Sequence, residues 1–381
     1  MPVEIESRAS VLGEAGLPVE ELVVNVGPSH PSTHGVGRFV VHLDGDVIVK
    51  VDPMIGYLHR GIEKMAENRT YLQIVPLTDR LDYVGSMYAN WAYCRSVERL
   101  AGILVPERAE YLRVIVCELQ RIASHMMGIG SAAADTGAFS MFLYTFDVRE
   151  RIIELFEDLC GARLTYNYVR PGGVSFDAPD GWLQGVLSYT ADLPDRLAEL
   201  DALFFGNTIT HDRLKGVGVL SYDDAVAWGA SGPVARGSGV NWDLRKHAPY
   251  SVYPRMEFDV VVGENGDAYD RDRCRLVECY ESAKIIDQCV AQIPEGPVKV
   301  EGLRRLLAPA PGEAYDHIES ARGSLGVYLV SDGSPRPYRM KVRSPAFCNL
   351  ALVDKLASGH VLPDLMVVLG SLDPVFGKVD R

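Results

Sequence analysis

Residues 106–127 have the sequence PERAEYLRVIVCELQRIASHMM, and this stretch decides the fold class. Its apolar side chains recur at three- and four-residue steps, a spacing that places them on one face of a helix. They are Tyr111, Ile115, Leu119, Ile122 and Met126. Pro106 suits the first helical turn, because its missing N–H would have no partner there. The stretch predicts a helix over 107–127 that faces a core.

Helical periodicity continues on both sides of this stretch, whereas both ends of the chain have strand patterns. The further helical segments are 61–74, 78–101, 133–160, 181–205 and 268–293. Strands are predicted over 22–26, 38–43 and 47–51 and within 315–343. Asp44-Gly45-Asp46 and Ser331-Asp332-Gly333-Ser334 have the composition of tight turns between strands.

The arrangement of these segments predicts an α+β protein, with a central bundle of long helices and small antiparallel sheets from the N-terminal and C-terminal segments. An irregular glycine-rich region covers 206–266, and 294–311 is predicted to be a linker with a short helix. We expect an N-terminal β region over 1–55, a helical core over 56–293 and a C-terminal α+β region over 294–381.

Composition excludes several classes of protein. The chain has 381 residues, 47% of them hydrophobic, so a large core is expected and a disordered chain is excluded. Its net charge of −13 argues against nucleic acid as a partner. The seven cysteines show no C-x2-C spacing, which predicts isolated thiols in a reducing compartment. The N-terminal sequence MPVEIESRAS has no apolar region typical of a secretory signal.

Residues 122–146 form the longest stretch with almost no charge, since Asp135 is its only fully charged side chain. Its length would suffice to span a bilayer, which needs about 20 apolar residues. However, it contains several polar residues and glycines. We interpret it as helix buried inside the protein, with a break near its glycines Gly128, Gly130 and Gly137, and predict that the chain has no membrane span.

Two histidines lie in the loop Gly27-Pro-Ser-His-Pro-Ser-Thr-His-Gly35 between predicted strands. Pro28 and Pro31 argue against a helix, so His30 and His34 are expected to project from a tight loop. They could bind a ligand or simply hydrogen-bond the loop. A zinc site would need a third ligand, and no HExxH motif is present.

Two further candidates are acidic or phenolic. A carboxylate as isolated as Asp135 needs a partner, which could be a histidine, a structural ion pair or a helix end. Residues 78–83 place Asp79, Arg80 and Tyr83 at a helix start, where Asp can cap the helix. Tyr83 is either core or a proton donor to a ligand oxygen. No Rossmann glycine motif, P-loop or GxSxG elbow is present.

Eight collinear blocks resemble the 49 kDa (D-type) family of subunits of respiratory complex I, the NADH–quinone oxidoreductases. The blocks are Gly27–Gly35, Gly56–Lys64, Glu67–Gln73, Asp79–Tyr83, Val169–Val174, Ser238–Lys246, Val330–Gly333 and Val379–Arg381. The resemblance covers about residues 20–381.

That family is similar to [NiFe]-hydrogenase large subunits, which bind their metals through two cysteine pairs. Asp82 and Gly85 stand at the first pair of positions here, and Val375 and Lys378 at the second. Nickel requires soft thiolate ligands, so hydrogenase chemistry is excluded and only the hydrogenase-large-subunit-like fold is expected.

The resemblance implies that a quinone headgroup docks between His34 and Tyr83, each donating a hydrogen bond to one ring carbonyl. Asp135 matches the carboxylate that pairs with the loop histidine in the family. His30 and Met54 are further candidates for quinone contact. No metal site and no cofactor of the chain's own are expected, with quinone as substrate.

The resemblance also implies partners. Electrons would arrive from a 4Fe–4S cluster held by an adjacent subunit, beside Arg80. The expected neighbours are that terminal Fe–S subunit, a homologue of the C-type subunit, and the quinone-channel subunit of the membrane arm. The chain would lie peripherally at the cytoplasmic face of the membrane, within a complex that translocates protons.

Three features depart from many relatives: Met54 and Thr165 replace histidines, and residues 300–313 are shorter. Since Thr165 cannot titrate as histidine does, we hypothesise a lower-potential cluster suited to a menaquinone-type acceptor. Two alternatives remain open. One is a redox-inactive scaffold of a membrane-bound hydrogenase-like or ferredoxin- or F420H2-dependent complex, which retention of His34 and Tyr83 disfavours. The other is a zinc hydrolase built on His30, His34 and Asp135.

Overall fold

Long helices occupy the centre of the molecule. The computed structural model describes residues 3–12, 18–30, 34–303 and 306–381. The helices of the first two thirds are α1 Ile62–Ala66, α2 Tyr71–Asp79, α3 Ser86–Ala101, α4 Glu107–Asp135, α5 Phe139–Cys160, α6 Trp182–Leu200, α7 Thr208–Leu214, α8 Tyr222–Ala227, α9 Pro233–Gly237, α10 Leu244–His247 and α11 Ala268–Gln292. The C-terminal helices are α12 Pro345–Leu350, α13 Val353–Ala357, α14 Leu362–Leu372 and α15 Phe376–Asp380.

Helix α4 is the centre of the core, since almost all of its side chains are buried against α5, α11 and α14. The helix predicted over 107–127 is confirmed but continues to Asp135. The break predicted near the glycines is found at Gly137, since the chain turns at residues 136–138, whereas α4 continues through Gly128 and Gly130 without interruption. A Cβ at Gly130 would lie 2.2 Å from Thr145 Oγ1. This glycine therefore allows α5 to approach α4 closely.

Small antiparallel sheets flank the helices, which confirms the α+β fold class. The N-terminal sheet has the order β1-β2-β5-β6 and the C-terminal sheet the order β11-β10-β9. The strands are β1 Val3–Leu12, β2 Pro18–Val26, β3 Ser29–His30, β4 Gly35–Val36, β5 Arg38–Asp44, β6 Val47–Met54, β7 Val169–Arg170, β8 Gly173–Val174, β9 Gly312–Ser320, β10 Gly323–Ser331 and β11 Arg339–Arg343.

Several elements differ from the sequence-based expectations. Strand β1 lies outside the predicted strands, and the irregular region over 206–266 contains the short helices α7 to α10. The short helix expected within 294–311 does not occur in the described residues 294–303 and 306–311. Among the described helices, none has both the length and the apolar character required to cross a bilayer.

The C-terminal segment returns to the N-terminal sheet and so builds the region around the histidine loop. Val47 and Val361 form a β-bridge, and the Asp354 carboxylate accepts a hydrogen bond from the backbone N–H of Val51. In α15, the Phe376 ring packs edge-on against Phe39. Residues far apart in sequence therefore meet beside His34.

Candidate functional site

His34 forms a short contact with a carboxylate from the C-terminal segment. Its Nε2 lies 2.6 Å from Asp373 Oδ1, with the two side chains 4% and 0% exposed. Asp373 ends α14 in a left-handed conformation with φ 51°. A Cβ at Gly128 would lie 3.3 Å from its carboxyl group, so the glycine leaves room for Asp373 beside α4.

Arg322 holds Asp373 in place. Its Nη2 donates to Asp373 Oδ1 at 2.9 Å and its Nε donates to the Asp373 backbone carbonyl at 2.8 Å. Its Nη1 donates to Ser124 Oγ at 2.9 Å. Burial opposes ionisation of Asp373, but Arg322 and the contact with His34 outweigh it and hold the pKa of Asp373 well below its usual range. Asp373 is therefore ionised at neutral pH.

Tyr83 lies next to this pair. A Cβ at Gly35 would be 2.8 Å from the Tyr83 hydroxyl oxygen, so the phenol lies against the backbone that directly follows His34. Burial raises the pKa of Tyr83, and the negative charge of Asp82 raises it further. Tyr83 thus remains a phenol at neutral pH and retains a proton to donate.

A second buried ion pair, Asp82–Lys378, lies next to Arg322. Arg322 Nη1 lies 3.8 Å from Asp82 Oδ1, and Lys378 Nζ donates a hydrogen bond to Asp82 Oδ2. All of these charged side chains are buried. We call the series His34–Asp373–Arg322–Asp82–Lys378 the buried charge chain. Its four permanent charges alternate in sign and cancel.

Comparison with known proteins places the chain in a family. It matches the family described as respiratory-chain NADH dehydrogenase, 49 Kd subunit, over residues 135–310 and 301–381. The D-type subunit of the NADH-quinone oxidoreductase from Desulforamulus reducens is 50% identical over 361 residues, which cover 95% of this chain and 98% of that protein. The chain belongs to the 49 kDa subunit family. The corresponding proteins from Bacillus cereus and Bacillus anthracis are 49% identical and cover 95% of this chain and 99% of theirs.

In this member of the 49 kDa subunit family, Asp82 and Lys378 correspond by resemblance to hydrogenase cysteine positions, and the two side chains contact each other directly. An ion pair thus takes the place of two thiolates. Among the side chains that the structure describes, no three His, Cys, Asp or Glu residues converge as a metal site would require.

The carboxylate partner of the loop histidine differs from the expectation. The resemblance implied Asp135, whereas His34 Nε2 contacts Asp373. Asp135 is half-buried at the end of α4 and has an interaction of its own. Sequence reasoning missed Asp373 because the C-terminal segment was considered only for Val375 and Lys378, which stand where hydrogenases have cysteines. The adjacent Asp373-Pro374 pair was the available signal.

The other predicted site residues lie in different surroundings. The His30 backbone belongs to β3, but its side chain is outside the described residues. Met54 ends β6 with its side chain 46% exposed. These positions do not test the predicted contacts with quinone.

Arg80 directly follows α2 and lies near the segment that contains Asn167. Its Nη1 lies 3.6 Å from Asp79 Oδ2, and Asp79 Oδ1 accepts the Asn167 backbone N–H at 3.3 Å. Burial raises the pKa of Asp79 to about 6. A cavity of about 640 Å³ adjoins this segment and is lined partly by Arg170 and Lys299. It is therefore separate from the His34–Tyr83 pair.

Proposed function

We propose that this chain is the quinone-site subunit of a complex I-type NADH–quinone oxidoreductase and reduces quinone between His34 and Tyr83. The observation that carries the proposal is the position of the Tyr83 hydroxyl against Gly35, directly beside the His34–Asp373 contact. Two proton donors are thereby brought to one place from the loop after β3 and the residues before α3. The named relatives support the reaction class.

The proposed reaction adds two electrons and two protons to the quinone. Electrons come from a 4Fe–4S cluster on a neighbouring subunit, and the O–H bond of Tyr83 and an N–H bond of His34 break as two O–H bonds form on the quinol. Ionised Asp373 accepts a hydrogen bond from His34 Nε2 and so orients the imidazole. Donors placed where negative charge develops lower the barrier.

The proposed setting is a peripheral position at the cytoplasmic face of the membrane. The neighbours would be the terminal Fe–S subunit, a homologue of the C-type subunit, and the membrane-arm quinone-channel subunit. Proton translocation by the membrane arm would be coupled to the reduction. Exposed apolar side chains at the start of α5, Phe139, Leu143 and Tyr144, are of the kind that subunit interfaces cover. They support a role in an assembly.

The test replaces each donor in the assembled complex. In Tyr83→Phe and in His34→Ala we expect quinone reductase kcat to fall by about 10²-fold or more, since each change removes one positioned acid. Electron transfer from the donor to a water-soluble artificial acceptor, measured on the same preparation, controls for assembly. Near-normal kcat with quinone in both variants would refute the proposal and favour a scaffold role.

A further inference from the structure

The Asp82–Lys378 pair has no part in the proton transfers described above, although the burial of its two charges costs desolvation free energy. Both side chains are removed from solvent, and a buried charge without its partner is strongly destabilising. The pair forms the end of the buried charge chain, 3.8 Å from Arg322 through Asp82 Oδ1. From this position, the charges of the pair can act electrostatically on the proposed proton donors.

The pair adjoins Tyr83 on two sides. Asp82 precedes Tyr83 in sequence, and a Cβ at Gly377, the neighbour of Lys378, would lie 2.8 Å from the Tyr83 ring. The charged groups facing Tyr83 are Asp82, Arg322 and Arg60. His34 lies on the other side of Gly35. Burial and then Asp82 raise the pKa of Tyr83, whereas Arg322 and Arg60 lower it.

We propose that Lys378 tunes the quinone site by neutralising Asp82, so that Tyr83 releases its proton readily. This inference rests on the proposed function of His34 and Tyr83. Lys378 acts through Asp82 and does not touch the quinone, so it is a positioning residue. By resemblance, Asp82 and Lys378 stand at positions where hydrogenase large subunits have metal-binding cysteines. In this chain the positive charge at these positions is the ammonium group of Lys378.

The sign of each effect follows from charge balance. With Asp82, Asp373, Arg322 and Lys378 all ionised, the four charges cancel. Loss of the Lys378 charge leaves a net negative charge, which makes Tyr83 hold its proton more tightly. Loss of the Asp82 charge leaves a net positive charge and has the opposite effect.

The experiment measures quinone reductase kcat against pH for Lys378→Met and Asp82→Asn in the assembled complex. We expect the alkaline limb of the profile to move up by about one pH unit in Lys378→Met and down by about one unit in Asp82→Asn. Lys378→Met should also lower kcat at neutral pH by roughly 3- to 10-fold, because Tyr83 would be a weaker acid than in the unmodified complex. Opposite shifts cannot come from loss of folding, which would lower the amount of complex without moving the profile.

A double variant and a control complete the test. Asp82→Asn combined with Lys378→Met removes both charges. In this double variant the alkaline limb of the pH profile should lie within about 0.3 pH units of that of the unmodified complex. Lys284→Met, which removes an exposed lysine that pairs with Glu281 on α11, should leave the profile unchanged. Shifts of the same sign, an unmoved limb in both single variants, or a double variant that keeps the Lys378→Met profile would overturn the inference. If Tyr83→Phe and His34→Ala retain activity, the proposed function fails instead.

Discussion

Asp373 is the residue whose role the structure changes most. Asp373→Asn keeps the shape of the side chain but removes the negative charge that faces His34 Nε2. We expect quinone reductase kcat to fall at least about 10-fold at pH 7, because the imidazole would lose the carboxylate that orients it. A pH profile of kcat for the assembled complex measures the loss.

A matched control exists on the same segment. Asp364 faces His360 at 3.8 Å near the start of α14, away from the buried charge chain. Asp364→Asn should leave kcat and its pH dependence unchanged. An Asp373→Asn complex with a normal profile would show that His34 does not depend on this carboxylate.

At the residue scale, the sequence identified His34 and Tyr83 but not the carboxylate that faces the histidine. The two donors belong to motif blocks that are recognisable locally. Asp373 is 339 residues away from His34 in sequence, and only the folded chain brings them together. Nothing in the spacing of the residues encodes such a pairing.

At the element scale, the crossing of α4 and α5 depends on Gly130. Gly130→Ala would place a Cβ 2.2 Å from Thr145 Oγ1 and force the helices apart, so we expect a loss of about 1–3 kcal/mol in stability. Thermal unfolding of the assembled complex and the yield of complex would report the loss. Combining Gly130→Ala with Thr145→Ala should restore most of it.

Gly185 in α6 provides a matched control for the substitution of Gly130. Its added Cβ would meet only the end of the Leu155 side chain, at 3.3 Å. Gly185→Ala should therefore be neutral or stabilise the protein by up to about 1 kcal/mol, since alanine favours helix. A Gly130→Ala complex as stable as this control would contradict the close-packing explanation.

The glycines of α4 explain why the end of this helix was harder to predict than its existence. The periodicity of 107–127 is strong because the core-facing side is apolar, and the helix was predicted correctly. A break is expected near the glycines because glycine weakens isolated helices, and it occurs at Gly137. At Gly128 and Gly130, the close approach of Asp373 and Thr145 favours the continuous helix.

At the scale of the whole molecule, buried ionisable groups make stability depend on pH. His125 is fully buried against Glu278, with Nε2 2.9 Å from Oε2, and burial lowers its pKa to about 4. An unfolded histidine has a pKa of about 6.5, so unfolding takes up a proton between these values. Stability should fall as pH drops from about 6.5 to 4, by up to about 1.4 kcal/mol per pH unit from this group.

His125→Gln isolates this contribution, because the amide can still donate to Glu278 but does not titrate. Hydrogen exchange of peptides from α4 and α11, compared between pH 7 and pH 5 in the assembled complex and corrected for intrinsic rates, should show a smaller pH effect in the variant. Asp79, whose pKa is raised to about 6, acts with the opposite sign and remains in both proteins. An unchanged pH effect would exclude His125 as its source.

The core of buried charges could not be predicted from composition. The net charge of −13 argued only against nucleic acid as a partner, yet arginines are among the largest fully buried side chains. Arg113, Arg121, Arg236, Arg245, Arg271 and Arg275 belong to this group. Several of their ion pairs join different elements, such as Arg113–Glu98, Arg236–Glu278 and Arg245–Glu118, so this pairing becomes visible only in three dimensions.

The contact between His34 and Asp373 also has a consequence for biogenesis. At a synthesis rate of about 5–20 residues per second, the ribosome makes Asp373 roughly 20 to 70 s after His34. During that interval the histidine loop and the N-terminal sheet lack the α14–α15 segment that packs against them. The contact between His34 and Asp373 therefore forms only after almost the whole chain has been synthesised.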